Sequence, residues 1–177
     1  MPKVLTDPKT SILAAARAEL SEKGGNGLNI RCVAKRAGVS IGTVYNYYPD
    51  KMHLLVALFL EEWTIVYSGL EKEIEAGVAL DKFLNDVRQA ITDFENDHKD
   101  VFFSMNGEPN RMKEGHKIFR SAIAALIQKE VAVLGISPSG DSINASAEIV
   151  IRAAIEEGLN ADTMLNLAQQ ALTGGNK

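Results

Sequence analysis

The sequence predicts an all-α protein of about nine helices, made of a small basic head, a long helix and a larger acidic helical lobe. Three observations carry that expectation. Apolar residues recur at intervals of three and four through most of the chain, glycines and prolines punctuate those stripes, and charge separates by position. The 177 residues are 46% hydrophobic and carry a net charge of −4. Residues 1 to 60 hold eight Lys or Arg against four Asp or Glu, a net of +4, while residues 61 to 177 hold eleven against nineteen, a net of −8. A basic head on an acidic body directs one end toward phosphate and holds the other away from it.

From Lys9 to Lys23 the first helix sets Ile12, Leu13, Ala16 and Leu20 on one face and Arg17, Glu19 and Glu22 on the other. Gly24, Gly25 and Gly27 end it and form the loop to Asn29. Asn29 caps a second helix striped by Ile30, Val33, Ala34 and Ala37, and Gly38 accepts the left-handed backbone that stops it. Ser40 caps a third helix with the stripe Ile41, Val44, Tyr45 and Tyr48, which Pro49 ends. The face left over carries Gly42, Thr43, Asn46 and Tyr47, with Arg31, Lys35, Arg36 and Lys51 flanking it in sequence. Helix, glycine turn, helix is a helix-turn-helix, whose second helix enters a DNA major groove. Thr43 and Asn46 have the reach for base edges, and Ser40, Tyr45, Tyr47 and Lys51 for phosphate oxygens. Backbone N–H groups at the helix starts near Asn29 and Ser40 suit phosphate as well. Gly42, lacking a side chain, permits close approach to the duplex, and Asn29 and Arg31 complete the candidate DNA-binding set.

The run AKRAGVSIGTVYNYYPDKMHLL, from Ala34 to Leu54 and its immediate neighbour, resembles the DNA-binding segment of the TetR family of transcriptional repressors. It follows that family's run, approximately A-x-x-A-G-V-S-x-G-T-x-Y-x-Y-F-x-x-K-x-x-L, with Tyr48 where Phe is commoner and Pro49 just after it. Tyr48 keeps the aromatic plug, though its hydroxyl needs a partner if buried. The resemblance covers about residues 9 to 60 and implies a three-helix DNA-binding head over residues 1 to 50. It also implies an effector-binding and dimerisation domain over 51 to 177, and a homodimeric repressor released from a palindromic operator by a small molecule.

A long helix runs from about Pro49 or Asp50 to about Ala76, a plausible mechanical link between head and lobe. After Gly77, Leu80, Leu84, Val87, Ile91 and Phe94 form a clean amphipathic stripe. Residues 95 to 117 break that regularity, with an expected short helix around Val101 to Met105 and a loop at Asn106 to Asn110. A further helix reaches about Leu134 with Phe119, Ala122, Ile123, Leu126 and Ile127 inward, and GISPSGDS is a turn-rich break. The last two helices, about Ser142 to Glu157 and Ala161 to Leu172, are rich in alanine and aliphatics. Ile143, Ala147, Val150, Ala154, Met164, Leu165, Ala168 and Leu172 suit either the monomer core or, as the family implies, a four-helix dimer interface. Trp63, Tyr67, Phe94, Phe102, Phe103, Met105 and Phe119 are the aromatic and thioether candidates for a ligand pocket, and at helical spacing they serve equally as core.

No apolar run approaches the roughly 18 residues needed to span a bilayer. The start, MPKVLTDPKT, lacks the apolar core of a secretory signal, and a single Cys32 forms no intramolecular disulfide, so a reducing cytoplasm is the simple expectation. His53, His98 and His116 are scattered, and no HExxH, CxxC, GxSxG or phosphate-loop pattern occurs. Neither catalysis nor a bound metal or cofactor is therefore expected. Two alternatives stay open on the residues alone. One is a helix-turn-helix protein that binds DNA without an effector, and the other a helical binding protein or enzyme whose head makes protein contacts.

Overall fold

The computed structural model describes residues 7–99 and 109–174. Eight helices follow one another among them: α1 Pro8–Gly27, α2 Ile30–Ala37, α3 Ile41–Tyr47, α4 Lys51–Glu75, α5 Leu80–Asp97, α6 Pro109–Val133, α7 Gly140–Ile155 and α8 Ala161–Thr173. The short helix expected around residues 101 to 105, which would have made nine, lies outside the described residues. So does most of the expected loop at 106 to 110, although α6 already begins at Pro109. The chain divides into two compact units, one taking the chain up to Trp63 and the other Thr64–His98 with everything from Pro109 onward. The division falls inside α4, thirteen residues past the boundary at residue 50 that the resemblance implies.

In the first unit the helix boundaries follow local chemistry. The side chain of Asp7 accepts from the Lys9 N–H to cap α1, and Gly24, at φ 67° and ψ 176°, interrupts the helix where the sequence ends it. A final helical turn then carries on to Gly27 where a loop was expected. Ile12 and Ala16 are fully buried with Leu13 and Ala15 beside them. Glu19 departs from its expected solvent face: it is 3% exposed. Its carboxylate is held 2.8 Å from Lys23 Nζ and 3.5 Å from the Arg36 guanidinium. A buried charge is tolerated only where donors of opposite charge reach it, and here two do. Arg36 also forks onto Glu22 at 2.7 and 2.8 Å, which holds the Glu22 carboxyl below and the Arg36 guanidinium above their usual ranges. Arg17 reaches Glu61 at 2.7 Å and Glu62 at 3.3 Å, tying α1 to the first half of α4.

α4 is the one described helix long and apolar enough to cross a membrane by length and composition, against the expectation that no segment comes near. Many of its apolar residues belong to the core, while Leu60 and Ile65 are exposed. Leu54, Leu55, Leu58, Phe59 and Trp63 are buried in its first half, and Leu70 and Ile74 in its second.

In the second unit α7 packs against α8, α6 and α5, and α5 also meets α8 and α6. The α5 stripe is buried as spaced, with Leu80, Leu84, Val87 and Ile91 inward, Phe94 half-buried and Phe83 fully buried besides. Ser146, wholly buried on α7, donates to the Ala168 carbonyl of α8 at 2.9 Å, and Thr92 of α5 donates to the Ala154 carbonyl at 3.2 Å. These bonds fix the rotation of α7 against two neighbours while satisfying polar groups inside the core.

α6 buries Ile123, Leu126, Ile127 and Val131, and on the same stripe Glu130, whose carboxyl oxygens have no hydrogen-bond partner among the described residues. Burial pushes this carboxyl above the usual carboxylate range. A carboxyl whose pKa is raised in the folded state matches a neutral isostere at low pH, where it is uncharged folded and unfolded, and costs stability relative to it as pH rises above the ordinary carboxylate value. Glu130→Gln is therefore expected to unfold at a higher urea midpoint than the wild type at neutral pH, with the gap closing toward pH 4. A gap that widens on acidification would contradict the neutral, buried state.

Candidate nucleic-acid interface

The first candidate is the second half of the head, and its geometry starts at Gly38. Gly38 lies at φ 70° and ψ 28°. Its N–H donates to the Lys35 carbonyl at 3.3 Å, and the Val39 N–H reaches the Ala34 carbonyl at 3.0 Å. That pair of bonds is the Schellman closure of α2, which only a left-handed residue at its corner allows. Two residues later Ser40 Oγ accepts from the Thr43 N–H at 3.0 Å and caps α3. Asn29 Oδ1 does the same for Arg31 at the start of α2, at 2.8 Å.

α3 buries less than its spacing suggests. Val44 and Tyr48 are inward at 0% and 5%, but Ile41 and Tyr45, expected on the same stripe, are 41% and 48% exposed. A seven-residue helix resting on α2 and α1 through one turn has room for only two anchors. Tyr45 thus joins the outward face with Gly42, Asn46 and Tyr47. Thr43 is half-buried, its hydroxyl 2.8 Å from Ser40 Oγ. Asn29, Arg31 and Ser40 are exposed at the two helix starts. Lys51 is half-buried at the first residue of α4, and burial pulls its ammonium below the ordinary lysine range. Arg36, a flanking cation in sequence, is committed to Glu22 and Glu19.

Gly42 separates fold from function. A Cβ there would meet only Ser40 Oγ, at 3.7 Å, an ordinary contact. Packing within the chain does not itself require glycine at this position.

The comparisons decide what this head is. The family model described as "Bacterial regulatory proteins, tetR family" matches residues 12–58, from within α1 to within α4. The N-terminal domain belongs to the TetR family. The HTH-type transcriptional repressor KstR of Mycobacterium tuberculosis is 36% identical to this chain over 74 residues, 42% of this chain. That match spans about a third, 34%, of the relative's length. Among solved structures, Thermus thermophilus FadR in complex with lauroyl-CoA has a TM-score of 0.67 at 20% identity, over 94% of both chains. RolR in complex with resorcinol reaches a TM-score of 0.65 at 16% identity, over 93% of this chain and 85% of the other. The TetR-like likeness of fold thus extends over the second unit, where the sequence carries no motif.

The residues expected to line a ligand pocket are placed unevenly. Trp63 is buried in the first unit. In the second, Tyr67 is half-buried beneath Lys129, whose ammonium stands 5.5 Å from its ring centroid and pairs with Glu71. Phe94 packs on His98 with ring centroids 4.5 Å apart, and Phe119 is half-buried. Phe102, Phe103 and Met105 lie outside the described residues. A groove of about 280 Å³ in the second unit is instead lined by Asp81, Asn85, Asp162, Leu165, Asn166 and Gln169, a polar wall that aromatic content does not signal. Of the residues weighed for the dimer face, Ile143, Ala147, Val150, Ala168 and Leu172 are buried within the single chain. Ala154, Met164 and Leu165 are half-buried.

Tyr48 meets half of what the sequence asks. The ring is buried as a plug, but its hydroxyl, driven upward in pKa by burial, has no hydrogen-bond partner among the described residues. Stranding a buried hydroxyl costs about 1–3 kcal/mol, so Tyr48→Phe is expected to stabilise the protein by about 1 kcal/mol. A lower urea midpoint in that variant would show a partner for the hydroxyl. Gly42→Ala is expected to leave the melting temperature unchanged while weakening duplex binding, measured by mobility shift; unchanged affinity would remove close approach as the reason for glycine.

Proposed function

We propose that this protein is a homodimeric, cytoplasmic transcriptional repressor of the TetR type that reads a palindromic operator and is released by a small-molecule effector. The observation that carries the reading is the outward face of α3, where Gly42, Tyr45, Asn46 and Tyr47 stay exposed on a head matched by the family model. On a two-fold dimer the two copies of α3 enter successive major grooves, with Asn46 and Thr43 toward base edges and Ser40, Tyr45, Tyr47 and Lys51 toward phosphates. The exposed N–H groups beside Asn29 and Ser40 add phosphate contacts.

The basic head supports a strongly salt-dependent affinity, since each neutralised phosphate releases counterions. The second unit supplies pairing and control. α7 and α8 bury Ala147, Ala153 and Ala168 in the monomer, while Ile155 and Leu167 on these helices and Leu159 in the connection between them stay exposed, apolar residues that suit a second copy. The structures of the same fold that hold lauroyl-CoA or resorcinol support a small-molecule effector. An effector changes operator affinity only by the difference between its affinities for the two states of the protein. Its chemistry does not transfer from relatives of such low identity.

Tyr47→Ala and Lys51→Ala are each expected to weaken operator binding tenfold or more by mobility shift, with the sedimentation behaviour of the dimer unchanged. Wild-type affinity in both variants would remove the proposed DNA face. Leu167→Asp is expected to shift sedimentation toward a monomer and to weaken operator binding with it; a dimer that persists at micromolar concentration would place the pairing surface elsewhere.

A further inference from the structure

Glu130 is a buried titratable group that DNA binding and pairing leave without a role. It stands on the inward stripe of α6, three and four residues past Ile127 and Leu126. The side chain has no exposure, and neither Oε1 nor Oε2 meets a hydrogen-bond partner among the described residues. Its neighbour Lys129 turns away, pairing with Glu71 and covering the ring of Tyr67. α6 packs against α7 and α5, whose buried faces are mostly aliphatic: Val87 and Ile91 on α5, Ile143, Val150 and Ile151 on α7.

A leucine or methionine would fill the same volume without stranding two acceptor oxygens, so the carboxyl weakens the unit it sits in. Groups held in so unfavourable an environment concentrate where a ligand is recognised. Glu130 offers two acceptor oxygens and latent negative charge against an aliphatic background. The complement is an apolar molecule with one cationic donor.

We infer that Glu130 anchors the effector of this protein, and that the effector belongs to the lipophilic amines, an apolar body with a single basic nitrogen. The inference rests on the effector-responsive reading above. In the form described the carboxyl is closed off, so the ligand selects a form in which the residues around Glu130 have parted. The amine enters as its ammonium ion, the carboxyl releases its proton to solvent, and an ion pair with N–H···O bonds forms with no other bond changed. An alcohol on the same skeleton gains the apolar contacts but brings no charge to answer the carboxylate.

The test uses the full chain with cyclohexylamine, 1-adamantanamine and decylamine, each beside the alcohol of the same skeleton. At least one amine is expected to raise the melting temperature above its alcohol and to weaken operator binding about tenfold. Glu130→Gln is expected to keep operator binding and lose the amine's advantage. At a pH where the wild type shows a protonated-carboxyl infrared band that Glu130→Gln removes, that band is expected to fall as the amine binds. No amine surpassing its alcohol, an unchanged response in Glu130→Gln, or an infrared band indifferent to the amine overturns the assignment. A Glu130-dependent stabilisation that leaves operator affinity unaltered supports the site and overturns effector-controlled DNA binding.

Discussion

The orientation of the proposed DNA-binding face depends on the backbone at Gly38. With φ at 70° and two reverse bonds closing α2 behind it, this residue reverses the chain in the space of a few atoms, so α3 starts at Ile41 already resting on α2. A side chain at that corner would bring Cβ against the following carbonyl, a cost of about 1–2 kcal/mol. Because α3 is only seven residues long and sinks only Val44 and Tyr48 among its residues and cap, little else holds its pitch. Which residues face outward on α3 therefore follows from the turn that precedes it.

The rest of the head braces that turn through charge. The carboxylate of Glu19 lies inside, between Lys23 and Arg36, and Arg36 carries the link from α1 to α2. Arg17 makes the corresponding link to α4 through Glu61 and Glu62. A basic head is thereby less basic at its surface than its composition states. Two of its arginines serve structure, and positive charge remains at Arg31 and Lys35 among exposed residues. The second unit is braced differently, by apolar burial and by Ser146 and Thr92 spanning between helices. Specific bonds of this kind set register, while the aliphatic stripes supply the drive to pack.

Much of this was legible in the residues. Caps at Asn29 and Ser40, the reversal at Gly38, and the ends of α5, α7 and α8 to within a few residues are local chemistry, which a single sequence expresses directly. Glu19, Ile41 and Tyr45 were not legible, because a helical stripe says where apolar residues gather and not how wide a face the neighbours cover. Glu130 escaped for the same reason: it directly follows the polar pair Gln128 and Lys129, and only its complete burial sets it apart. The walls of the groove between Asp81 and Gln169 come from helices distant in sequence, and no motif records them.

The central claim is that the outward face of α3 meets DNA. Its most direct test is backbone amide chemical-shift mapping of the intact protein as it binds a duplex recovered by selection from random DNA. The account predicts that the largest changes fall on Gly42, Tyr45, Asn46 and Tyr47, with smaller ones at Arg31 and Lys51 near the helix starts. Changes confined to the second unit, with α3 silent at saturating duplex, would contradict it.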